Sequence, residues 1–380
     1  MRNCKKRAAV FSLAAILCCS LAAPFGSAAT NPSVVIDGKS VQFSESMGAP
    51  FVDSNNRTQV PLRAAMEAMG AKVDWDGEVR TAVVSKGSVT VRVPIGAEFV
   101  WVNGEKKTND TAALIKDSRT YLPIRIVAEA LGADVGWDGN TKTVKITTHG
   151  DPVAWIRSGE SWYDNGQFSY SMRYVIDGIK IVRQSSNDIS SEYEYTYNTR
   201  NQVTRETINS TDYTGGSSKK VTDYTYNNYG LVTHEVSSYY LSTSEVIPGT
   251  EVWYEYNSKG DTIKMLTHDM EYDEWNQTDY TYTYDSAGRI SQATEKNPNF
   301  TDENGKPMQV VYTYRYNSSG RLIEIEEKFK ESSGALSLGS KHSYGYDEHG
   351  NLVRHTELRY EDGPSSYPYE YEVRYAYSQI

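Results

Sequence analysis

The sequence predicts an α+β module, built from two strand–helix–strand copies, followed by an all-β domain of antiparallel hairpin repeats. Three observations lead there. Tyr-x-Tyr-(Asn/Asp)-x-x-Gly recurs through the second half, with its second tyrosine at Tyr197, Tyr226, Tyr256, Tyr284, Tyr316 and Tyr346. The steps are 29, 30, 28, 32 and 30 residues, with 31 more to Tyr377, and a fixed period of this size marks a repeat architecture. A different unit is duplicated in the first half at a constant offset of 62 residues. Finally, tyrosines alternate with polar residues in the second half, as in Tyr193-Glu-Tyr195-Thr-Tyr197 and Tyr312-Thr-Tyr314-Arg-Tyr316, which is the period of a strand.

Each position of the repeat has a physical reason. Tyr-x-Tyr sets both rings on one face of a strand, and tyrosine suits a pleated, half-buried surface. Asn198, Asn227, Asn257, Asp285, Asn317 or Asp347 follows the second tyrosine, and such a side chain closes a turn by bonding backbone groups two residues on. Gly230, Gly260, Gly288, Gly320 and Gly350 stand four residues after it, with Asn201 in the first copy. A short hairpin loop built on a type I turn needs a left-handed residue there, and Asn is the next-best choice after Gly. An apolar return strand follows, led by Val203, Val232, Ile263, Ile290, Leu322 or Leu352.

In chain order, residues 1–29 read as a cleaved export signal: Arg2, Lys5, Lys6 and Arg7, then the apolar run Ala8 to Ala23, then Ser27-Ala28-Ala29. That run is shorter than the ~20 residues a spanning helix needs. Cys4, Cys18 and Cys19 all leave with the signal, so the mature chain is expected to have no disulfide, thiol nucleophile or thiolate metal site. The full chain carries a net charge of −10 and the signal four positive charges, giving −14 after cleavage. That balance argues against nucleic acid and anionic membrane surfaces as partners.

Residues 31–148 hold the duplicated unit, with copies at about 33–93 and 94–148. Arg57-Thr-Gln-Val-Pro61-Leu-Arg63 through Glu67, Gly70, Trp75, Asp76 and Gly77 aligns with Arg119-Thr-Tyr-Leu-Pro123-Ile-Arg125 through Glu129, Gly132, Trp137, Asp138 and Gly139. Pro61 and Pro123 suit a first helical turn. Leu62, Ala65, Met66 and Met69, like Ile124, Val127, Ala128 and Leu131, form one buried helical stripe per copy. Gly70 and Gly132 fit left-handed helix caps. Asp76-Gly77 and Asp138-Gly139 then turn into strands at 81–85 and 143–147. Arg63 with Glu67 and Arg125 with Glu129 are expected to be surface braces. Trp75 and Trp137 are expected in the core, with sugar stacking as the alternative.

These residues resemble the copper amine oxidase N-terminal-like, or stalk, domain of secreted Gram-positive bacterial proteins, over roughly 34–148. The resemblance implies a small non-catalytic domain, because copper and the quinone of the oxidases belong to a separate β domain. The six histidines include no His-x-His pair, and Tyr229 follows Asn228 but precedes Gly230. No copper, metal or other cofactor is therefore expected.

Residues 149–192 read as a joint and a divergent first hairpin, Tyr174 to Val182 around Asp177-Gly178. The aromatic stretch of Trp155, Trp162 and Tyr163 is placed as a cap on the sheet. Residues 193–380 hold the repeats. Together, 155–380 carries 29 of the 30 tyrosines. Tyr284-Asp285-Ser-Ala-Gly288-Arg289-Ile290 resembles the RHS or YD-repeat signature, although the family's repeat is shorter and its self-cleaving core is absent here. The resemblance implies consecutive hairpins forming one curled antiparallel sheet, open or closed. The tyrosine face is then either core or binding surface, and strict alternation favours core, leaving loops such as 214–219 and 297–309 and edge strands for contacts.

The chain contains no Gly-x-Ser-x-Gly, Gly-x-x-x-x-Gly-Lys-(Ser/Thr) or His-Glu-x-x-His. Asp269, Glu271, Asp273 and Glu274 crowd a connection without a visible pocket, and Asp302-Glu-Asn-Gly305 reads as a turn rather than a calcium loop. The expected function is an exported, non-catalytic surface or secreted binding or adhesion protein acting on an extracellular protein or glycan. No nucleic acid partner and no membrane span after signal cleavage are expected, and no catalytic, cofactor or metal residue is assigned. The alternatives are a polysaccharide-acting enzyme with an unrecognised site and a structural spacer.

Overall fold

The computed structural model describes residues 31–177, 180–186, 191–211, 215–241, 246–302, 304–360 and 369–379. The export-signal expectation falls outside them. Among the described residues, 63% lie in strands and 4% in helices. The α+β label therefore overstates helix in the first half, where α1 (Leu62–Ala68) and α2 (Arg125–Ala130) span only seven and six residues.

The first half contains three small sheets. The two copies meet through Thr58–Pro61 and Arg119–Pro123, which pair antiparallel with Val60 opposite Leu122. Those two residues are 62 apart, so the sequence duplication is realised as a pseudo-twofold axis through that pair. Ser33–Ile36 then pairs in parallel with Thr143–Thr147, tying the start of the module to its end. The two helical stripes are buried as expected, and with Val34, Val60, Val84, Val91, Leu122 and Ile146 they form one dry core.

Local chemistry follows the sequence, with three corrections. Gly70 and Gly132 both have φ +78° and cap the helices, and the Arg–Glu pairs are exposed at 3.2 and 3.9 Å. Pro61 and Pro123, however, are the last residues of the preceding strands, not part of a helical turn. The left-handed residues of the Asp-Gly turns are Arg80 and Lys142, three residues after the glycines. Trp75 and Trp137 are 44% and 45% exposed, not core. Each ring lies across its own turn, so that a Cβ on Gly77 or Gly139 would sit 3.4 or 3.6 Å from the indole nitrogen.

The second half closes on itself. Sixteen consecutive antiparallel strands, from Trp155–Asp164 to Tyr369–Gln379, form a barrel, each paired with its neighbour in sequence. The first and last pair from Trp155 opposite Gln379 to Asp164 opposite Tyr371. Trp155, Trp162 and Tyr163 thus belong to the closing strand rather than to a cap, and among the described residues every barrel strand is paired on both sides. The expected Tyr174–Val182 hairpin is present as paired strands Gln167–Asp177 and Lys180–Ser186; its turn lies outside the described residues. The 297–309 stretch is mostly strand, one strand ending at Thr301 and the next beginning at Pro307.

All six Asn/Asp…Gly corners are turns. In each, the amide of the Gly, or of Asn201, donates to the carbonyl of the Asn or Asp at 2.9–3.1 Å. The Asn or Asp Oδ1 accepts from the second and fourth residues on in the corners of Asn198, Asn227, Asn257, Asp285 and Asn317. Asn201 has φ 60° and the glycines 71–87°. The extra left-handed residue shifts the register by one just before each second tyrosine, as a G1 bulge does. Asp302 to Gly305 repeats this geometry at the opposite end of the barrel.

Candidate functional site

The tyrosines of the Tyr-x-Tyr repeats point into the barrel. Tyr174, Tyr195, Tyr224, Tyr226, Tyr256, Tyr346 and Tyr377 come from strands spread around its circumference, yet all line a single cavity of about 1470 Å³. A sixteen-stranded barrel is wide enough to leave an aqueous channel, because its interior outgrows what side chains can fill. The tyrosines are accordingly half-buried, and the expectation of a packed tyrosine core is replaced by a tyrosine-lined wall.

The hydroxyls tie repeats together. Tyr226, Tyr256, Tyr316 and Tyr346 donate to the carbonyls of Val203, Val232, Ile290 and Leu322 at 2.6–2.8 Å. In each case the second tyrosine of one repeat grips the first residue of the preceding return strand. Tyr284 departs from this pattern by donating to the Asp261 carboxylate at 2.9 Å, while Tyr282 takes the Thr262 carbonyl at 2.7 Å. Only a phenol hydroxyl can donate to that carbonyl, which explains why the position is Tyr and not Phe.

Register also assigns the return strands, which sequence alternation left open. Glu206 lies opposite Tyr195, Glu235 opposite Tyr224, Glu295 opposite Tyr280, Glu327 opposite Tyr312 and Glu357 opposite Tyr371. All five therefore face inward. Tyr254 donates to Glu235 at 2.6 Å and Tyr312 to Glu295 at 3.0 Å. Burial, then nearby carboxylates, pushes the phenols of Tyr195 and Tyr312 well above the ordinary tyrosine range. Burial first, then like charge from neighbouring groups, pushes Tyr226, Tyr316 and Tyr344 up to about 12.

A polar relay runs along the same wall. Ser340 Oγ donates to Glu327 at 2.9 Å and lies 3.0 Å from His342 Nε2, whose Nδ1 lies 3.1 Å from His355 Nε2. Because the serine proton is committed to a carboxylate, this chain fits a structural relay better than a nucleophile–base pair. Burial, reinforced by His342, pulls the His355 imidazole below its ordinary value.

The first-half module covers one end of the barrel. Phe99, 2% exposed, packs with Ala97 and Leu231 against the hairpin corners. Trp101 Nε1 donates to the Tyr229 carbonyl at 2.8 Å. Lys106 bonds the Gly260 carbonyl at 2.5 Å and the Asp261 carboxylate at 2.9 Å, and Lys259 meets Glu98 at 2.5 Å. Arg200 reaches Asp76 at 3.0 Å and Glu78 at 2.5 Å. Although burial opposes it, hydrogen bonds from Arg200 and Arg92 hold the Asp76 carboxyl below the usual carboxylate range. The cavity is the space left between this module and the barrel wall.

Outside the barrel a second aromatic feature escaped the sequence reading. His234 stacks on Trp253, Trp253 on Trp275 and Trp275 on His268, with centroids 4.8, 5.5 and 4.1 Å apart. Glu251 lies 3.9 and 3.8 Å from the two imidazoles. The four rings come from four successive strands, so only the strand register brings them together. Asp269 and Asp273 flank the adjacent turn, where Asp269 Oδ1 accepts from the amides of Glu271 and Tyr272 and Asp273 bonds His268 at 2.9 Å. Among the described residues no group of three or more His, Cys, Asp or Glu is arranged to hold a metal ion.

Comparison with known proteins adds a partial frame. A protease inhibitor from Brevibacillus choshinensis is 28% identical over 127 residues, which are 33% of this chain and 37% of that protein. The chain thus spans little more than a third of that relative's length. A porin-like protein from Bacteroides vulgatus covers 59% of this chain and 99% of its own, at 12% identity and a TM-score of 0.35. A TcdB2–TccC3 structure covers 85% of this chain and 20% of its own, at 12% identity and a TM-score of 0.19. Neither structural likeness is close enough to bear on the fold. Residues 35–146 match the family model of the copper amine oxidase N-terminal domain, and that match takes in the pseudo-twofold module alone.

Proposed function

We propose that this chain is an exported, non-catalytic bacterial surface or secreted binding protein whose partner is an extracellular protein or glycan. The observation that carries this reading is the chamber of about 1470 Å³ between the module and the tyrosine wall. A concave space lined by rings with a few polar groups is the usual form of a ligand site. The lumenal carboxylates support binding over turnover, since Tyr254, Tyr312, Ser340 and Arg359 occupy Glu235, Glu295, Glu327 and Glu357 within the wall.

The outer face carries charged pairs such as Arg205 with Asp223, Arg315 with Glu324, and Arg354 and Arg374 with Glu372. A lipid-facing barrel needs an apolar outer band instead, so this surface supports a barrel surrounded by water. Residues 1–29 support export, and the −14 charge left after their removal supports a partner other than nucleic acid. The hairpin repeat is read as an RHS/YD-type unit, and residues 31–148, 149–192 and 193–380 as module, joint with first hairpin, and repeats.

A pull-down on immobilised cell-wall and plant polysaccharides, run beside an activity screen on the same polymers, tests the reading. Retention without product release is expected. Release of reducing ends would favour the enzyme alternative. Comparing the exported fraction of chains with and without residues 1–29 tests the address.

A further inference from the structure

We infer that the chamber takes a neutral oligosaccharide of several rings, an assignment that rests on the binding reading above and narrows it. The volume decides against a small molecule. Typical small-ligand pockets span about 300–1,000 Å³, and about 1470 Å³ calls for a chain of linked units.

Charge decides the class. The charged side chains that border the chamber form ion pairs, and the inward carboxylates of Glu235, Glu295, Glu327 and Glu357 each accept a hydrogen bond within the wall. Arg92 pairs with Asp76 at 2.9 Å, Arg200 with Asp76 at 3.0 Å and Glu78 at 2.5 Å, Lys107 with Glu105 at 2.9 Å, and Arg157 with Glu160 at 3.6 Å. An acidic glycan or a basic peptide entering here would have to break those pairs or leave its own charges without partners, at a cost in desolvation. What the lining offers instead is ring surface and amide groups. Trp155 stacks one face on His349, 4.8 Å between centroids, and borders the chamber. Among the described residues, Asn201 and Asn228 make no side-chain hydrogen bond, and both line the chamber. Rings that receive the C–H face of a sugar, beside amides that both donate to and accept from hydroxyls, match a neutral carbohydrate chain.

The test titrates the full mature chain with cellohexaose, xylohexaose and N-acetylchitohexaose, and with hexagalacturonate and hexalysine as charged probes, by calorimetry and tryptophan fluorescence. At least one neutral chain is expected to bind in preference to both charged ones. Trp155→Ala should weaken it at least about tenfold, as removal of a central aromatic anchor does, with Trp155→Phe between. Asn228→Ala, in an exposed turn that tolerates the change, should weaken it a few-fold without shifting the melting curve. Trp275→Ala, on the outer face, should leave affinity unchanged. Loss of binding in Trp275→Ala with none in Trp155→Ala would place the ligand outside the barrel and overturn the assignment while leaving a binding protein. Preference for hexalysine or hexagalacturonate, or no binding by any neutral chain at millimolar concentration, also overturns it. Cleavage of a bound hexasaccharide would instead overturn the non-catalytic reading and leave the ligand class standing.

Discussion

The two halves of this molecule solve the same problem in opposite ways. The first-half module has a dry core, with Val34, Val60, Ala65, Met66, Val84, Leu122 and Val127 fully buried. The barrel, roughly twice as long, has few buried apolar side chains among the described residues: Met172, Leu231, Val252, Ala293, Val310 and Val373. Its strands are held by a closed ring of backbone pairing, bulged at each corner, and by tyrosine hydroxyls that grip the neighbouring strand. One half is stabilised by exclusion of water, the other by polar bonds beside a chamber. The difference teaches why tyrosine is concentrated in one half: a wall that borders a channel needs a side chain that is apolar along its length and hydrogen-bonded at its tip.

The largest way to break this comparison is alkali. Phenols held above the ordinary value, about 12 for Tyr226, Tyr316 and Tyr344, keep their protons in the fold after an unfolded chain has lost them. The folded form therefore binds more protons between pH ~10 and the raised values, and stability falls as pH rises through that window. Steep unfolding of the barrel above about pH 10 is expected, read as phenolate absorbance rising together with loss of strand circular dichroism. Independent, gradual phenol titration in an intact barrel would contradict it. The module, with Tyr121 as its one tyrosine, has little to lose in that range.

The converse experiment strikes the dry core. Leu122→Ala, at a fully buried site on the pseudo-twofold axis, should cost about 2–5 kcal/mol by transfer and cavity terms, measured by denaturant unfolding. Next in size is the contact between the halves. Gly260→Ala adds a Cβ 2.8 Å from the buried Phe99 ring at φ +71°, whereas Gly320→Ala meets only the end of Arg289 at 3.2 Å. Both should pay the left-handed penalty of about 1–2 kcal/mol, and only Gly260→Ala should also loosen the module, seen as new proteolysis between the halves.

Smaller again are the tyrosine latches. Tyr226→Phe or Tyr346→Phe should each cost about 0.5–1.5 kcal/mol, with no change of fold by circular dichroism. Smallest is the Arg63–Glu67 pair, half-exposed at 3.2 Å, for which a double-mutant cycle should return about 0.2–0.5 kcal/mol. A latch worth no more than this surface pair would mean that the ladder alone holds the barrel.

The parts legible in the sequence were those governed by local rules. Hairpin corners need a left-handed residue and a side-chain acceptor at fixed spacing, so Asn198 to Asn201 and Asn227 to Gly230 could be read directly. The helical stripes Leu62–Met69 and Ile124–Leu131 were equally plain, because burial imposes a 3.6-residue period on each helix alone. Trp75 and Trp137 were misread because composition says nothing about a ring folding back over its own turn.

What the sequence could not decide depended on residues meeting across the barrel. Closure required Trp155–Asp164 to find Tyr369–Gln379 more than two hundred residues away, and a period of thirty residues is the same for an open sheet and a closed one. The inward row of Glu206, Glu235, Glu295, Glu327 and Glu357, the outer stack of His234, Trp253, Trp275 and His268, and the chamber beneath the module all follow from register and docking. Sequence thus determined the repeating unit through short-range backbone sterics. Tertiary structure determined the enclosed space, because a cavity belongs to no single residue and exists only once the ring of strands is complete.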